Sequence, residues 1–343
     1  MNKIGCSFLE EGINFDYDTV CDCCISHNDG RGLPILIENY HGEPINWDLL
    51  FEKKQERIQK QKESTIYDCE GCYHLCEYEY TNEKKLSSFH FSHCRLCNAK
   101  CIYCSKEYSK GDLNYNTYPL IKDLIEKGYY KSNGEATFQG GEPTLMQNFD
   151  ELIHLFIKNG TKVRIHSNGI RYSNTVEQAL KDNKGTIVIS LDTANANTFK
   201  KIKRVDAFKI VCQNIKKYAK ANTQNIMIKY IIVPGYNDSI KEIDNFFKLM
   251  KKLQITKVVI DMEVKYARKY DNTNISPHIY LLYDYFEAMA QKHNMELSTY
   301  SFMLYVLRNR SIEKYSKFNN KLFFMWFFNK HVQKEKNYDY VMY

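Results

Sequence analysis

The 343-residue sequence has no long hydrophobic run. No stretch approaches the ~18 uninterrupted apolar residues of a membrane span, so no integral span is expected. Residues 1–20 (MNKIGCSFLEEGINFDYDTV) carry acids and lack the apolar core of a secretory signal, which places the expected location in the cytoplasm. A strong charge excess is missing as well. The formal net charge of +7 comes from lysines spread along a chain rich in Lys, Asn, Ile and Tyr. That pattern reads as compositional bias more readily than as a nucleic-acid patch, although mild positive charge also suits anionic partners. Cysteine is nearly absent from the last two thirds of the chain: 11 of the 12 fall between Cys6 and Cys104. A disulfide scaffold is normally short and secreted, and this chain is neither. Clustered thiols in such a chain read as metal ligands. With 43% apolar and 26% charged residues, the protein is a folding, globular one.

Three segments follow from the pattern of residues. Residues 1–85 hold seven cysteines and one clear helix, Trp47 to Lys62, with Pro44 just ahead of it. Strand-like pieces lie at 13–15 and at 33–38, after the Gly30/Gly32 turn. Their apolar core is small, and a bound metal would supply the missing stability. Residues 86–300 alternate strand and helix. Strands are expected at 88–91, 136–138, 162–165, 186–191, 226–233 and 257–260. Helices are expected at 119–127, 149–158, 174–181, 207–219, 240–252 and 277–292. Six β/α units in series imply an α/β fold with a parallel sheet, curled into a partial (β/α)6 barrel resembling a TIM barrel, its site at the carboxyl ends of the strands. Residues 301–343 form an extension with the aromatic run LFFMWFF at 322–328. That run is expected to pack onto the barrel or a partner surface, with a peripheral membrane contact as the alternative.

The densest chemistry is the segment CNAKCIYC, which spaces Cys97, Cys101 and Cys104 as CxxxCxxC directly after the first barrel strand. Three thiolates on one tight loop hold three corners of a cubic iron–sulfur cluster and leave one iron open to a ligand. A closed zinc site wants four donors, and Cys94 offers a fourth. At the end of the second strand stands Gln139-Gly140-Gly141-Glu142-Pro143. Paired glycines admit a ligand close to the backbone, and a carboxylate at Glu142 accepts hydrogen bonds from an ammonium group.

With these two motifs in this order, the sequence resembles the radical S-adenosylmethionine (radical SAM) superfamily. Tyr103 matches the aromatic residue before the last cysteine of the signature, and Gly140 to Pro143 match its GGEP motif. His166-Ser167-Asn168-Gly169 resembles the strand-end Asn-Gly element, with His166 where Thr is commoner, and Ser190-Leu191-Asp192 resembles the Ser-x-Asp strand. Residues 199–218 resemble a helix entry carrying a basic residue, Arg204, and IIVPGYND at 231–238 fits the fifth unit. The likeness spans residues 88–265.

The resemblance implies a [4Fe–4S] cluster on Cys97, Cys101 and Cys104, with S-adenosylmethionine chelating its fourth iron. It further implies that Gly140, Gly141 and Glu142 hold the amino group, and that Asn168 belongs to the same cofactor-binding set. Tyr103 would lie near the adenine, Ser190 and Asp192 would face the ribose or methionine part, and Arg204 would meet the carboxylate. One electron from the cluster then breaks the sulfonium C–S bond, and the 5′-deoxyadenosyl radical takes hydrogen from a substrate C–H bond, with flavodoxin or ferredoxin as reductant.

The N-terminal cysteines resemble an auxiliary-cluster domain of the SPASM or twitch kind, placed before the barrel rather than after it. Cys6, Cys23, Cys69 and Cys72 are the first choice of ligands for a second [4Fe–4S] cluster, Cys21, Cys24 and Cys76 the substitutes, and zinc the alternative metal. Other residues read more plainly. Cys212 reads as a small buried apolar residue and His154 as structural, and His90 and His93 read as packing or surface residues, with one of them facing the site as the alternative. Asp261 and Glu263 end the sixth strand, and Glu263 is the candidate catalytic base or substrate contact. The leading expectation is an oxidoreductase or modifying enzyme acting on a peptide or on a carbohydrate or cyclitol. RNA modification is a second reading, without a recognisable RNA-binding appendage. A non-catalytic zinc or iron–sulfur protein is the third.

Overall fold

The computed structural model describes residues 4–23, 35–63, 69, 72, 75–104, 115–263, 276–300, 303 and 307. The N-terminal part runs β1 (Ile4–Gly5), α1 (Ser7–Glu11), β2 (Gly12–Phe15), β3 (Val20–Cys21), β4 (Ile35–Ile37), α2 (Trp47–Lys62) and β5 (Cys76–Glu77). The barrel part opens with β6 (Leu86–Phe91), α3 (Tyr118–Glu126), β7 (Tyr130–Phe138), α4 (Phe149–Lys158), β8 (Lys162–Ser167), α5 (Asn174–Lys181) and β9 (Gly185–Ser190). It continues through α6 (Ala196–Lys203), α7 (Phe208–Ala221), β10 (Ile226–Ile232), α8 (Ile240–Lys252), β11 (Lys257–Met262), α9 (Pro277–Lys292) and β12 (Glu296–Thr299).

One sheet holds ten of these strands in the order β12-β11-β10-β9-β8-β7-β6-β2-β3-β4. From β2 through β12 every neighbouring pair is parallel. Sequential parallel strands each require a crossover, and the helices supply it. The strands read as near-continuous apolar runs because both faces are covered. Ile165, Ile187, Ile189, Ile228, Tyr230, Val259 and Ile260 are fully enclosed. The helices turn one apolar stripe to the sheet, as with Ile243, Phe246, Phe247 and Met250 of α8. Serine caps set two helix starts: Ser173 accepts from the Val176 N–H, and Ser239 from the Glu242 N–H.

The expected α/β architecture is present, with three differences. Residues 1–85 do not stand wholly apart. β2 pairs parallel with β6, Ile13 opposite Phe89 and Phe15 opposite Phe91, and all four side chains are enclosed in the main core. Hydrophobic burial therefore draws half of the N-terminal segment into the barrel sheet. The two ends of the segment form their own two-stranded ribbon, β1 with β5, over a small core of Cys6, Leu9, Ile58 and Tyr80. The second difference is that the helix read at 207–219 is preceded by a separate helix, α6, begun by Asn195, which accepts from the Asn197 and Thr198 N–H groups, and ended by Arg204 at φ 54°. The third is β12, a seventh barrel strand whose polar residues (ELST) give no strand signal.

The helix read at Trp47 to Lys62 matches α2. Its buried Lys54 is held by the Gly12 carbonyl and by Asp22, each at 2.7 Å. No helix of the described residues is long and apolar enough to cross a membrane. Cys24 and the aromatic run at 322–328 lie outside the described residues.

Candidate functional site

A cavity of about 540 Å³ opens at the carboxyl ends of the barrel strands. Its wall is made by the loop after β6, with Cys97, Cys101, Cys104 and Tyr103, and by the ends of β7 through β10, with Gln139, Gly140, Gly141, His166, Ser167, Asn168, Ser190, Lys229 and Ile231. The end of α6 adds Lys203 and Arg204.

The cysteine loop is held from two sides. On one, the Gly141 N–H donates to the Cys94 carbonyl at 2.7 Å and the Glu142 N–H to the Leu96 carbonyl at 2.8 Å. A Cβ at Gly141 would sit 2.4 Å from the Leu96 carbonyl oxygen, so only glycine permits this approach. Gly140 adopts φ +102° and faces the Ser92 and Cys94 carbonyls in the same way. On the other side the Lys100 and Ile102 N–H groups donate to the Lys203 and Ile202 carbonyls at 3.0 and 2.9 Å. Ile102 and Tyr103 also pack on Ile202, Ile231 and Val233.

Cys97, Cys101 and Cys104 are partly exposed and lie on one wall of the cavity. Asn168 Nδ2 lies 3.6 Å from the Cys97 sulfur and donates to Asn98 Oδ1 at 2.7 Å. Cys94 is enclosed, its thiol directed at the Leu96 carbonyl at 3.8 Å, and it is not part of the cavity wall. Among the described residues, no three His, Cys, Asp or Glu side chains converge on a single-ion position. A four-iron cluster does not need such convergence, because each thiolate binds its own iron. Three thiols without the fourth therefore suit a cluster with one open iron better than a closed zinc site.

Glu142 and Asp192, expected at the cofactor, lie off the cavity wall. Glu142 does not line the cavity, and it is fully buried. Its Oε1 accepts from the Ser167 and Thr144 hydroxyls, each at 2.8 Å, and its Oε2 from the Asn168 N–H at 2.8 Å. Burial raises its pKa, and these donors work in the opposite direction. The carboxylate thus fastens the Gly-Gly turn to the end of β8. Asp192 is likewise fully buried and off the wall. It lies 2.5 Å from Lys203 Nζ, accepts from Tyr103 OH at 2.8 Å and from the Ile231 N–H at 3.1 Å, and takes φ 65°. Lys203 Nζ also donates to Tyr103 OH at 2.6 Å. Burial opposes the lysine's charge, but Asp192 and the Cys101 and Cys97 sulfurs outweigh it, and the pKa of Lys203 is raised.

Glu263, the expected catalytic base or substrate contact, is the third such residue. It follows β11, its N–H donating to the Ile232 carbonyl at 3.2 Å, and it is not on the wall. Lys229 of the neighbouring strand takes the inward position there, with Asp261 at 3.0 Å and the Tyr300 ring 4.9 Å from its ammonium. Ser190, Asn168 and Arg204 lie on the wall. That reading missed Lys203 and Lys229. Lys203 is one of four cations in the run KKIKR, with no spacing to set it apart, whereas Lys229 stood out as a charge inside the apolar strand IMIKYII. His166 is also on the wall. Burial, with Lys229 and Arg164 adding to it, pushes its pKa down to about 3 and keeps the ring neutral.

A sequence model of the radical SAM superfamily matches residues 91–250. A GTP 3′,8-cyclase of Clostridium botulinum (strain Okra / Type B1) is 30% identical over 200 residues, which are 56% of this chain and 62% of that protein. Molybdenum cofactor biosynthesis protein 1 of Dictyostelium discoideum is 29% identical over 162 residues, 45% of this chain and 25% of that protein. The chain therefore spans less than two thirds of the length of these curated relatives. Among solved structures, Streptococcus suis SuiB bound to the precursor peptide SuiA aligns with a TM-score of 0.50 at 16% identity, covering 77% of this chain and 56% of SuiB. That likeness is one of fold.

Proposed function

Because residues 91–250 of this chain belong to the radical SAM superfamily, we propose that it is an enzyme that uses an iron–sulfur cluster and S-adenosylmethionine to abstract hydrogen from an anionic substrate. The observation that carries this reading is the wall itself: three thiols from one loop face a cavity floored by Gly140 and Gly141. A [4Fe–4S] cluster on Cys97, Cys101 and Cys104, with S-adenosylmethionine on its open iron, supplies when bound the one-electron cleavage that yields a 5′-deoxyadenosyl radical. The chain's own residues do the rest. Gly140 and Gly141 leave room for a ligand beside backbone that any larger residue would fill. Asn168 supports the Cys97 sulfur. The Lys203–Asp192–Tyr103 network ties the loop to α6 and to the end of β9, fixing the sulfurs against the strand ends.

Charge supports one substrate class. Lys100, Lys203, Arg204 and Lys229 line the cavity, and among the described residues no carboxylate does. Lys203 is paired with Asp192 and Lys229 with Asp261, so Lys100 and Arg204 carry most of the positive potential that favours anions. Nucleotides, phosphorylated sugars and acidic peptides fit it, and neutral peptides and sugars fit it less well. The relatives' name makes GTP the first candidate. The SuiB likeness carries no substrate argument. Nothing on the cavity wall favours RNA over these smaller anions, and the enclosed Cys94 argues against the zinc reading.

The test is anaerobic turnover. Purified, iron-loaded protein is reduced with S-adenosylmethionine and a panel of anionic and neutral candidates, GTP included, and 5′-deoxyadenosine is quantified. The proposal expects its formation, stimulated by an anionic candidate whose deuterated form passes deuterium to it. Iron-loaded protein that forms no 5′-deoxyadenosine under any condition overturns the reading.

A further inference from the structure

Three polar side chains run in a line from the N-terminal segment to the cavity wall. Asn14 stands in β2, opposite His90 of β6. Ser92 follows β6, its N–H donating to the Phe15 carbonyl at 2.8 Å, and Gln139 follows β7, its N–H donating to the Phe91 carbonyl at 2.9 Å. The rings of Phe15, Phe91 and Phe138 stack in sequence across these strands, at 5.5 and 4.9 Å between centroids, within the main core. Neighbouring side chains of a strand point to opposite faces, so Asn14, Ser92 and Gln139 share the other face. Asn14 and Ser92 are buried there, and Gln139 reaches the cavity.

The hydrogen bonds along this line have one direction. The Ser92 hydroxyl donates to Asn14 Oδ1 at 3.2 Å, and Gln139 Nε2 donates to Ser92 Oγ at 3.1 Å. A hydroxyl carries a single hydrogen. Because that of Ser92 is committed to Asn14, its oxygen is left to accept, and the Gln139 amide turns its nitrogen to it. The amide oxygen then points away from Ser92. It meets no donor among the described residues, yet it is not one of their enclosed unpaired atoms. Four wall side chains, Lys100, Lys203, Arg204 and Lys229, can only donate. The Asn168 amide oxygen is already occupied by the Ile170 N–H at 2.9 Å. Asn14 lies outside the residues 91–250 that match the superfamily, so the matched barrel does not itself supply the acceptor that orients the line.

We propose that Asn14, acting through Ser92, positions the Gln139 amide so that its oxygen is presented to the cavity as an acceptor for a hydroxyl, amino or amide N–H of a bound molecule. Gln139 makes the contact, and Asn14 and Ser92 are positioning residues. The inference rests on the reading of this cavity as the reaction site and deepens it: a molecule bound there carries a hydrogen-bond donor at Gln139. S-adenosylmethionine and the substrate are the two sources of that donor, and the test tells them apart.

Anaerobic, iron-loaded protein is used throughout. Asn14→Leu removes the terminal acceptor, so the Ser92 hydroxyl turns its hydrogen to Gln139 and the amide flips. Equilibrium dialysis gives the Kd for S-adenosylmethionine, and turnover gives KM and kcat for the anionic candidate that stimulates 5′-deoxyadenosine formation. One of Kd and KM should rise about tenfold, the value of one hydrogen bond, with a much smaller change in kcat. A rise in Kd assigns the donor to S-adenosylmethionine, and a rise in KM alone assigns it to the substrate. Gln139→Leu should show the same rise, and Asn14→Leu/Gln139→Leu no more than Gln139→Leu alone. Ser92→Ala should behave like Asn14→Leu without touching β2, and Ser92→Thr, which keeps the hydroxyl, should restore the wild-type value. A readout independent of turnover is nuclear magnetic resonance of oxidised holoprotein labelled at the glutamine side-chain nitrogen, with Gln139→Leu identifying the signal. The Gln139 amide hydrogens should exchange slowly with solvent in wild type and faster in Asn14→Leu. Unchanged Kd and KM in both Asn14→Leu and Ser92→Ala, losses that add in the double variant, or wild-type amide exchange in Asn14→Leu overturns the proposal. Wild-type protein that forms no 5′-deoxyadenosine overturns the cavity reading instead, and the amide exchange still decides whether Asn14 positions Gln139.

Discussion

Replacing Lys203 by Met removes one half of a buried ion pair and leaves the other half in place. The two side chains are 1% and 0% exposed and their charged atoms lie 2.5 Å apart. Met preserves the length of the aliphatic stem, so the change is chiefly one of charge. Asp192 then keeps only the Tyr103 hydroxyl and the Ile231 N–H as donors among its bonds described above. Breaking such a pair by deleting one partner costs about 3–5 kcal/mol, because the surviving charge stays buried without compensation. A surface pair would cost about 1 kcal/mol or less. Urea unfolding of the reduced apo-protein under nitrogen measures the difference. The companion variant Lys203→Met/Asp192→Asn removes both charges and retains an acceptor for the Ile231 N–H. It should recover much of the loss, and the double-mutant cycle should return a coupling of about 2 kcal/mol or more. A loss under about 1 kcal/mol for the single variant, or a double variant no more stable than the single one, would refute the view that this pair anchors the cysteine loop.

Three further outcomes are expected. Gly141→Ala presses a methyl group against the Leu96 carbonyl. It should lose about 1–3 kcal/mol and bind cavity iron less well, as read by urea unfolding and iron analysis, whereas unchanged iron content would contradict the close approach. His166 has a folded pKa pushed down to about 3. Below the unfolded value of about 6.5 the unfolded chain takes up this proton and the folded chain does not, so stability is full above that pH and is lost as pH falls toward 3. His166→Gln should flatten this part of the stability–pH curve, and a curve parallel to wild type would count against a ring kept neutral in the folded chain. Lys229→Gln should raise KM for the anionic substrate about tenfold or more with little change in substrate-free 5′-deoxyadenosine formation, and Lys229→Arg should restore much of the KM. An unchanged KM would remove Lys229 from the substrate's reach.

Much of the barrel was legible because strand and helix impose different periods on the apolar residues. The runs at 162–165 and 226–233 fall on β8 and β10, and those at 149–158, 174–181 and 240–252 coincide with α4, α5 and α8. What escaped was marked by polar geometry. α6 starts on the Asn195 cap and its break from α7 depends on the left-handed Arg204, and β12 is a polar edge strand with no alternation to read. The pairing of β2 with β6 joins residues some 75 positions apart in sequence, and local pattern carries no information about such a partner.

At the site, the glycine pair and the cysteine spacing were readable because each answers a local steric or chemical demand. The directions of Glu142 and Asp192 were not. Whether a carboxylate faces a cavity or turns inward is decided by Ser167, Asn168, Lys203 and Tyr103, donors supplied from other elements.

The central claim is that three thiols of one loop carry a cluster with an open iron in the strand-end cavity. Electron paramagnetic resonance of the anaerobically reduced protein, recorded before and after adding S-adenosylmethionine, tests it most directly. The account predicts a cubane signal that changes on addition and that is missing from Cys97→Ala/Cys101→Ala/Cys104→Ala protein. A spectrum indifferent to S-adenosylmethionine, or one unaltered by the triple substitution, would contradict it.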